Sequence, residues 1–210
     1  RSSLSKVSKE SRCVVLALAL AELLSRGGER VGVLGGRPFT GRVAARRVAE
    51  VLLGDTSEAS LPPQAKLSRF SECLLFSDFL EPVDVTTERL ETIAAQGVRG
   101  HLVQVLDPAE ETLPYVGRTE FAASEGRDRV IAGRAETLRG QYQDRLKRHL
   151  RELLELTQRL GWSFLVHHTD RPAEEAVLVV HNRLAGLERD YRYRPPRPEP
   201  VSGTEAGQQP

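Results

Sequence analysis

Acidic residues follow three predicted strands, at the positions where a parallel sheet places a binding site. Asp78, Asp107 and Asp170 each come at the end of an apolar run. Ligands of open parallel sheets lie outside the carboxyl ends of the strands. Ser77 adds a hydroxyl beside Asp78, and carboxylate and hydroxyl oxygens suit Mg²⁺, which keeps several waters of its own. This edge is therefore the candidate site, with Asp78 and Ser77 as candidate metal ligands.

Each aspartate also has a structural interpretation. Asp78 could cap the next helix or turn. Asp107 stands before a proline, which is typical of a residue that starts a turn. Asp170 lies in Thr-Asp-Arg-Pro, which is typical of a helix start with an N-capping side chain. Roles of Asp107 and Asp170 in partner binding stay open beside these structural roles.

Motifs of common enzyme classes are missing from the sequence. The segment 36–43 begins like the phosphate loop G-x-x-x-x-G-K-[ST], but Arg42 and Val43 replace the required lysine and hydroxyl residue. Neither G-x-G-x-x-G nor G-x-S-x-G occurs, and neither cysteine has the surroundings of a nucleophile. His167 and His168 are neighbours in a strand and point to opposite faces, so they cannot share a metal. We therefore expect no catalytic residues and no enzyme activity.

The elements that would position the acidic residues alternate between strand and helix. The apolar run Cys73–Phe76 predicts a strand covered on both faces, in the centre of the sheet. Further strands are predicted at 101–106 and 163–168, with helices between them, and this order favours parallel strands joined by right-handed crossovers. The predicted fold is α/β, a mostly parallel sheet with helices on both faces, similar to the Rossmann type.

Helices are predicted from apolar periodicity and from their end signals. The periodicity is strongest in 135–160, and the first helix is apolar nearly all round, as expected for a buried helix. A strand at 30–34 and a small hairpin or irregular excursion within 110–133 complete the prediction. The predicted helices are 9–25, one that carries Val43, Val48 and Val51, 85–96, 135–160 and 172–188.

Composition indicates one domain without a polyanionic partner. The chain has 210 residues, 40% of them hydrophobic, and 30 basic against 29 acidic residues give a net charge of +1, which favours neither nucleic acid nor an anionic membrane. Both cysteines lie in apolar runs, as expected for reduced thiols in the cytoplasm. The first apolar run is too short to span a bilayer. We predict one domain over 1–189 and a disordered Pro-rich tail over 190–210.

The ordered series of motifs resembles the domain of unknown function 58 family. It comprises SDFLEP at 77–82, VLDPAEETLP at 105–114, the long helix with YQDRLKRHLRELLELTQRLGW, and HHTDRP at 167–172. The resemblance covers about 6–187, and the family's fold is similar to a von Willebrand factor type A domain. It implies that the first strand of the sheet precedes Arg1 and is missing here. The absence of methionine from the chain agrees with such a truncation.

The resemblance also implies a metal site. Type A domains hold a divalent metal with an Asp-x-Ser-x-Ser loop after the first strand, a threonine from a second loop, and an aspartate after the fourth strand. Asp78 matches that aspartate, and Thr40 occupies the neighbourhood of the second loop. We therefore expect Mg²⁺ in the full-length protein only, with an incomplete site in this chain.

The resemblance implies a function through genomic context as well. Family members commonly stand beside MoxR-type AAA+ ATPases, which implies a non-enzymatic protein-binding or assembly module with an AAA+ ATPase as partner. The competing hypothesis is a metal-dependent phosphohydrolase that uses Asp78 as nucleophile or ligand. Leu80 stands where such an enzyme would have its second aspartate.

Overall fold

Helices and strands alternate along the chain in the computed structural model, which describes residues 7–54, 61–112, 119–122, 129–132 and 135–186. A short 3-10 turn at Gly41–Val43 precedes the second helix. The helices are α1 (Lys9–Arg26), α2 (Ala44–Gly54), α3 (Val83–Ala94), α4 (Pro108–Thr112), α5 (Ala135–Leu160) and α6 (Ala173–Leu184). The strands are β1 (Glu72–Ser77), β2 (Arg99–Leu106), β3 (Thr119–Ala122), β4 (Arg129–Ala132) and β5 (Ser163–His168).

Three strands form a parallel sheet in the order β1-β2-β5. This confirms the predicted α/β class with a parallel sheet. The prediction that the strand at Cys73 is central is wrong, because β1 pairs only with β2 among the described residues. The central strand is β2, in which every residue after Arg99 is buried, whereas β1 is mostly half-buried.

Helices cover both faces of this sheet. α3 and α5 cover one face, and α1 and α6 cover the other. Successive residues of each strand point alternately to these two faces, as the pleat of a strand requires. Leu102 of β2 belongs to the first core, while its neighbour Val103 belongs to the second. The α3/α5 face buries Leu90, Ile93, Leu153, Leu156 and Trp162, and the α1/α6 face buries Leu16, Leu20, Leu165, Ala176 and Val180.

Gly100 is a point of close approach between β2 and the start of β5. A β-carbon built on Gly100 would lie 1.9 Å from the Trp162 ring. The ring itself is buried, and its Nε1 donates a hydrogen bond of 3.2 Å to the Val98 carbonyl. The absence of a side chain at position 100 therefore makes the space in which the indole packs.

Two local predictions are tested by the backbone outside the parallel sheet. The strand expected at 30–34 is wrong, because only an isolated antiparallel bridge joins Val31 to Phe39. Of the two alternatives predicted for 110–133, a small hairpin or an irregular excursion, the antiparallel pairing of β3 with β4 supports the hairpin. The tail predicted over 190–210 lies outside the described residues. Of the helices in the described ranges, none has the length and apolar character needed to cross a membrane.

The two cysteines are free thiols inside apolar surroundings. Burial raises the pKa of Cys13 to about 12 and that of Cys73 to about 11. With these pKa values, about one thiol in a thousand or fewer is ionised at pH 8. The thiolate is the form that reacts with alkylating reagents. We expect iodoacetamide at pH 8 to alkylate the native protein at least about 100-fold more slowly than the unfolded protein. Mass spectrometry of timed samples measures both rates, and equal rates would contradict the buried placement.

Candidate functional site

The turn after β1 carries Asp78 and is held by hydrogen bonds from three sources. The Phe79 amide donates to Ser77 Oγ at 3.1 Å, and Gln104 Nε2 of β2 donates to the Asp78 carbonyl at 2.6 Å. His149 of α5 donates from Nε2 to the Phe79 carbonyl. Gln104 is fully buried, so its amide can serve this turn without competition from water. The backbone around Asp78 is therefore fixed by β2 and α5.

Phe79 adopts a backbone conformation that few residues with a side chain accept. Its φ angle is +46°, in the left-handed region, where strain of about 1–3 kcal/mol is usual for such a residue. Its side chain is 5% exposed and packs in the α3/α5 core, and burying a Phe side chain contributes about 1.5–3 kcal/mol. The anchored ring thus offsets the strain, and the next residue, Leu80, is left 43% exposed.

A lysine joins the ends of two neighbouring strands. Lys9 Nζ lies 2.7 Å from Asp78 Oδ2 and 2.6 Å from Glu110 Oε1. Burial alone would lower the Lys9 pKa, but hydrogen bonds to both carboxylates outweigh it, and the net shift is upward. Tyr142 of α5 lies beside this group, and burial followed by the Glu110 charge raises its pKa. We call Lys9, Asp78, Glu110 and Tyr142 the strand-end cluster.

A second basic residue of α1 reaches the end of β5. Arg12 Nη2 donates to the Thr169 carbonyl at 2.9 Å. The nearby His167 is 5% exposed, and its Nε2 has no hydrogen-bond partner among the described residues. Burial lowers the pKa of His167 to about 4, and the Arg12 charge adds to that effect. The first turns of α1 therefore contact the carboxyl ends of β1 and β5, the two outer strands of the described sheet.

The other two candidate aspartates differ in exposure. Asp107 is buried, and its Oδ1 accepts a hydrogen bond of 2.8 Å from the Ala109 amide, which confirms the prediction that it starts a turn. Asp170 is exposed. The predicted capping side chain before α6 is wrong, because the N-cap residue is Pro172 and no side chain caps the helix. Of the two, Asp170 alone presents its carboxylate at the surface.

The described residues do not fit a Mg²⁺ site. Ser77 Oγ accepts a hydrogen bond from a backbone amide, and Asp78 Oδ2 is bound by Lys9. Thr40 is exposed at the start of a 3-10 turn that packs against α1. Within the described ranges no three His, Cys, Asp or Glu side chains are grouped so that they could hold a metal ion. Mg²⁺ binding by a longer chain stays a prediction.

A second polar group, which the sequence reasoning missed, crosses the amino ends of the strands. His101 Nδ1 lies 2.8 Å from Ser163 Oγ, and Nε2 lies 3.0 Å from Glu72 Oε2. Burial lowers the pKa of His101, and Glu72 opposes that shift. Serine, imidazole and carboxylate in a row can transfer a proton; here the imidazole between the other two is buried, with His101 7% exposed. We interpret this row as a cross-strand support.

The strand-end cluster lies within a segment shared with a known family. The family model described as "Protein of unknown function DUF58" matches residues 2–152. No curated protein and no solved structure matches the chain. The matched segment includes all four residues of the cluster together with β1 and β2 and ends before β5. Because the match spans well over half of the residues of the chain, the chain belongs to the family of proteins of unknown function DUF58.

Proposed function

We propose that this protein is a non-catalytic binding module that assembles with an AAA+ ATPase of the MoxR type in the cytoplasm. Its binding surface would be the carboxyl edge of the sheet. We choose this class of ATPase as the partner because the genes of family members commonly stand beside those of MoxR-type AAA+ ATPases. The observation that supports this choice of surface is the turn after β1, in which the strained and buried Phe79 leaves Leu80 exposed.

Strained backbone is often found at functional sites, and exposed apolar side chains that lie next to one another can mark an interaction site. Leu80 is 43% exposed and Val85, in the first turn of α3, is 41% exposed. Asp78 lies beside them with a side chain that is 25% exposed. Protein interfaces combine apolar anchors with a polar rim, and this turn supplies both. Because β2 and α5 fix the turn, little ordering entropy would be lost on binding.

We further propose that the fold is of the von Willebrand factor A type. Two features support this proposal. β1 has a paired neighbour on one side only among the described residues, so the hydrogen-bonding groups of its other edge have no strand partner among them. α1 begins beside the carboxyl ends of the strands, which is where a helix begins when it follows a parallel strand.

The phosphohydrolase alternative has less support. A nucleophilic or metal-binding Asp78 needs a free carboxylate, whereas its Oδ2 is bound by Lys9 at 2.7 Å. Hydrolysis of p-nitrophenyl phosphate in the presence of Mg²⁺, lost on Asp78→Asn, would favour the enzyme over the binding module.

The Leu80→Asp variant tests the proposed surface. We expect it to fold normally and to bind a purified MoxR-type AAA+ ATPase from the same organism about 10- to 100-fold more weakly, the range for loss of an apolar anchor. Calorimetric titration measures the Kd. The matched control is Leu178→Asp, because Leu178 is 59% exposed on α6, across the sheet from α3. Equal losses in both variants would contradict the surface, and no binding by the wild type would contradict the partner.

A further inference from the structure

We propose that the Lys9 ammonium takes the place of a divalent cation at the strand ends, so that this chain joins the ends of β1 and β2 with a cation of its own. This inference concerns the strand-end cluster and does not depend on which partner the protein binds. The resemblance implies a metal at Asp78, whereas the side chains around Asp78 do not fit one.

The geometry around Nζ is that of a bridging cation. Asp78 comes directly after β1, and Glu110 lies in α4, directly after β2. Each presents one carboxylate oxygen to Nζ, at 2.7 and 2.6 Å. These distances exceed by only a few tenths of an ångström the Ca²⁺–oxygen distances of about 2.3–2.6 Å. One ammonium thus connects two neighbouring strand ends, as a bound metal would.

The two carboxylates are held in place by their surroundings. The Asp78 backbone is fixed by the hydrogen bond from Gln104. The second oxygen of Glu110, Oε2, accepts a hydrogen bond of 3.1 Å from the Asp107 amide. In Glu110 the oxygen that faces Nζ, Oε1, is thus the one left for a cation. Two carboxylate oxygens therefore face one position that favours a positive charge, and Lys9, the first residue of α1, places its ammonium there.

Charge and burial explain why a cation is needed there. The side chains of Lys9, Asp78 and Glu110 are 22%, 25% and 26% exposed, so water screens the two carboxylates only in part. Without Lys9 the two negative charges would repel each other across one small space. A protein in that state gains stability from any cation that binds the folded form. Lys9 therefore closes a site that a metal would otherwise occupy.

The test compares the wild type with Lys9→Met, which keeps all but the last atom of the side-chain length and removes the charge. We expect Lys9→Met to have a lower thermal midpoint than the wild type. With Kd on the order of 1 mM, as in weak carboxylate sites, 10 mM CaCl₂ should raise that midpoint by about 3–6 °C. The wild-type midpoint should respond no more to CaCl₂ or MgCl₂ than to NaCl of equal ionic strength.

Two controls make the test decisive. The double variant Lys9→Met/Asp78→Asn should lose the calcium response, because one of the two carboxylates has gone. The proposal would be overturned if MgCl₂ or CaCl₂ raised the wild-type midpoint above the NaCl control and Asp78→Asn abolished this rise. This outcome does not depend on whether Lys9→Met folds. A folded Lys9→Met variant without any specific calcium response would overturn it as well.

Discussion

The Gly100→Ala variant is expected to unfold about 6–12 °C below the wild type, a loss of about 3 kcal/mol. The added methyl carbon would lie 1.9 Å from the Trp162 ring, far inside van der Waals contact. The ring cannot move aside easily, because it is 7% exposed and its Nε1 is bonded to the Val98 carbonyl. Thermal denaturation followed by circular dichroism measures the shift.

A second glycine provides the matched control for this variant. Gly140 is exposed within α5, and a β-carbon built there meets no atom within 4 Å apart from the neighbouring backbone of its own helix. Gly140→Ala should therefore stabilise the protein by about 0.5–1 kcal/mol through helix propensity. Gly100→Ala should lower the thermal midpoint less in a Trp162→Leu background than in the wild type, because the smaller leucine leaves space for the added methyl group. Equal midpoints for Gly100→Ala and Gly140→Ala would show that the indole does not occupy this space.

Acidification from pH 7 to pH 4 is expected to destabilise the fold by about 3 kcal/mol through His167 alone. Burial first, and then the Arg12 charge, lower the pKa of His167 from 6.5 to about 4. Between these two values the unfolded chain binds a proton that the folded chain does not. The free energy of unfolding therefore falls as the pH drops below about 6.5, and the loss is complete below about 4.

The His167→Gln variant isolates this effect from the titration of other groups. Its own stability at pH 7 is not the test, because the comparison is between slopes. Urea midpoints at pH 7, 5.5 and 4.5 should fall more steeply for the wild type than for His167→Gln. His181→Gln, which changes a half-buried histidine of α6, is the matched control for replacing a histidine with glutamine. Parallel slopes for the wild type and His167→Gln would contradict the assignment.

Elements with a long local pattern could be predicted from the sequence. α5 was predicted over 135–160 and is found over those residues, because steps of three and four between leucines are a property of the segment itself. Strand order is different, because it depends on pairing between distant segments. β2 contains His101 and Gln104, which made the wholly apolar run of β1 appear to be the more buried strand.

The candidate site could be located but not completed from the sequence. Asp78 was found because its position after an apolar run has a known meaning in parallel sheets. Its partner Lys9 lies 69 residues earlier, on a helix whose apolar pattern says nothing about its first residue. Gln104, which holds the Asp78 carbonyl, resembles a flaw in an apolar strand until its hydrogen bond is known. Only the folded arrangement relates these residues.

The contacts of α1 also determine when it can become part of the fold during synthesis. Arg12 binds the carbonyl of a residue 157 positions later, so this contact must wait until β5 has left the ribosome. At about 5–20 residues per second, that delay is about 8–30 s. Until then α1, whose Leu16 and Leu20 lie in the core shared with β2 and α6, can already contact α2, β1 and β2, but not α6, which follows β5. The surface of α1 that α6 covers is therefore the last part of this helix to be buried as the chain is synthesised.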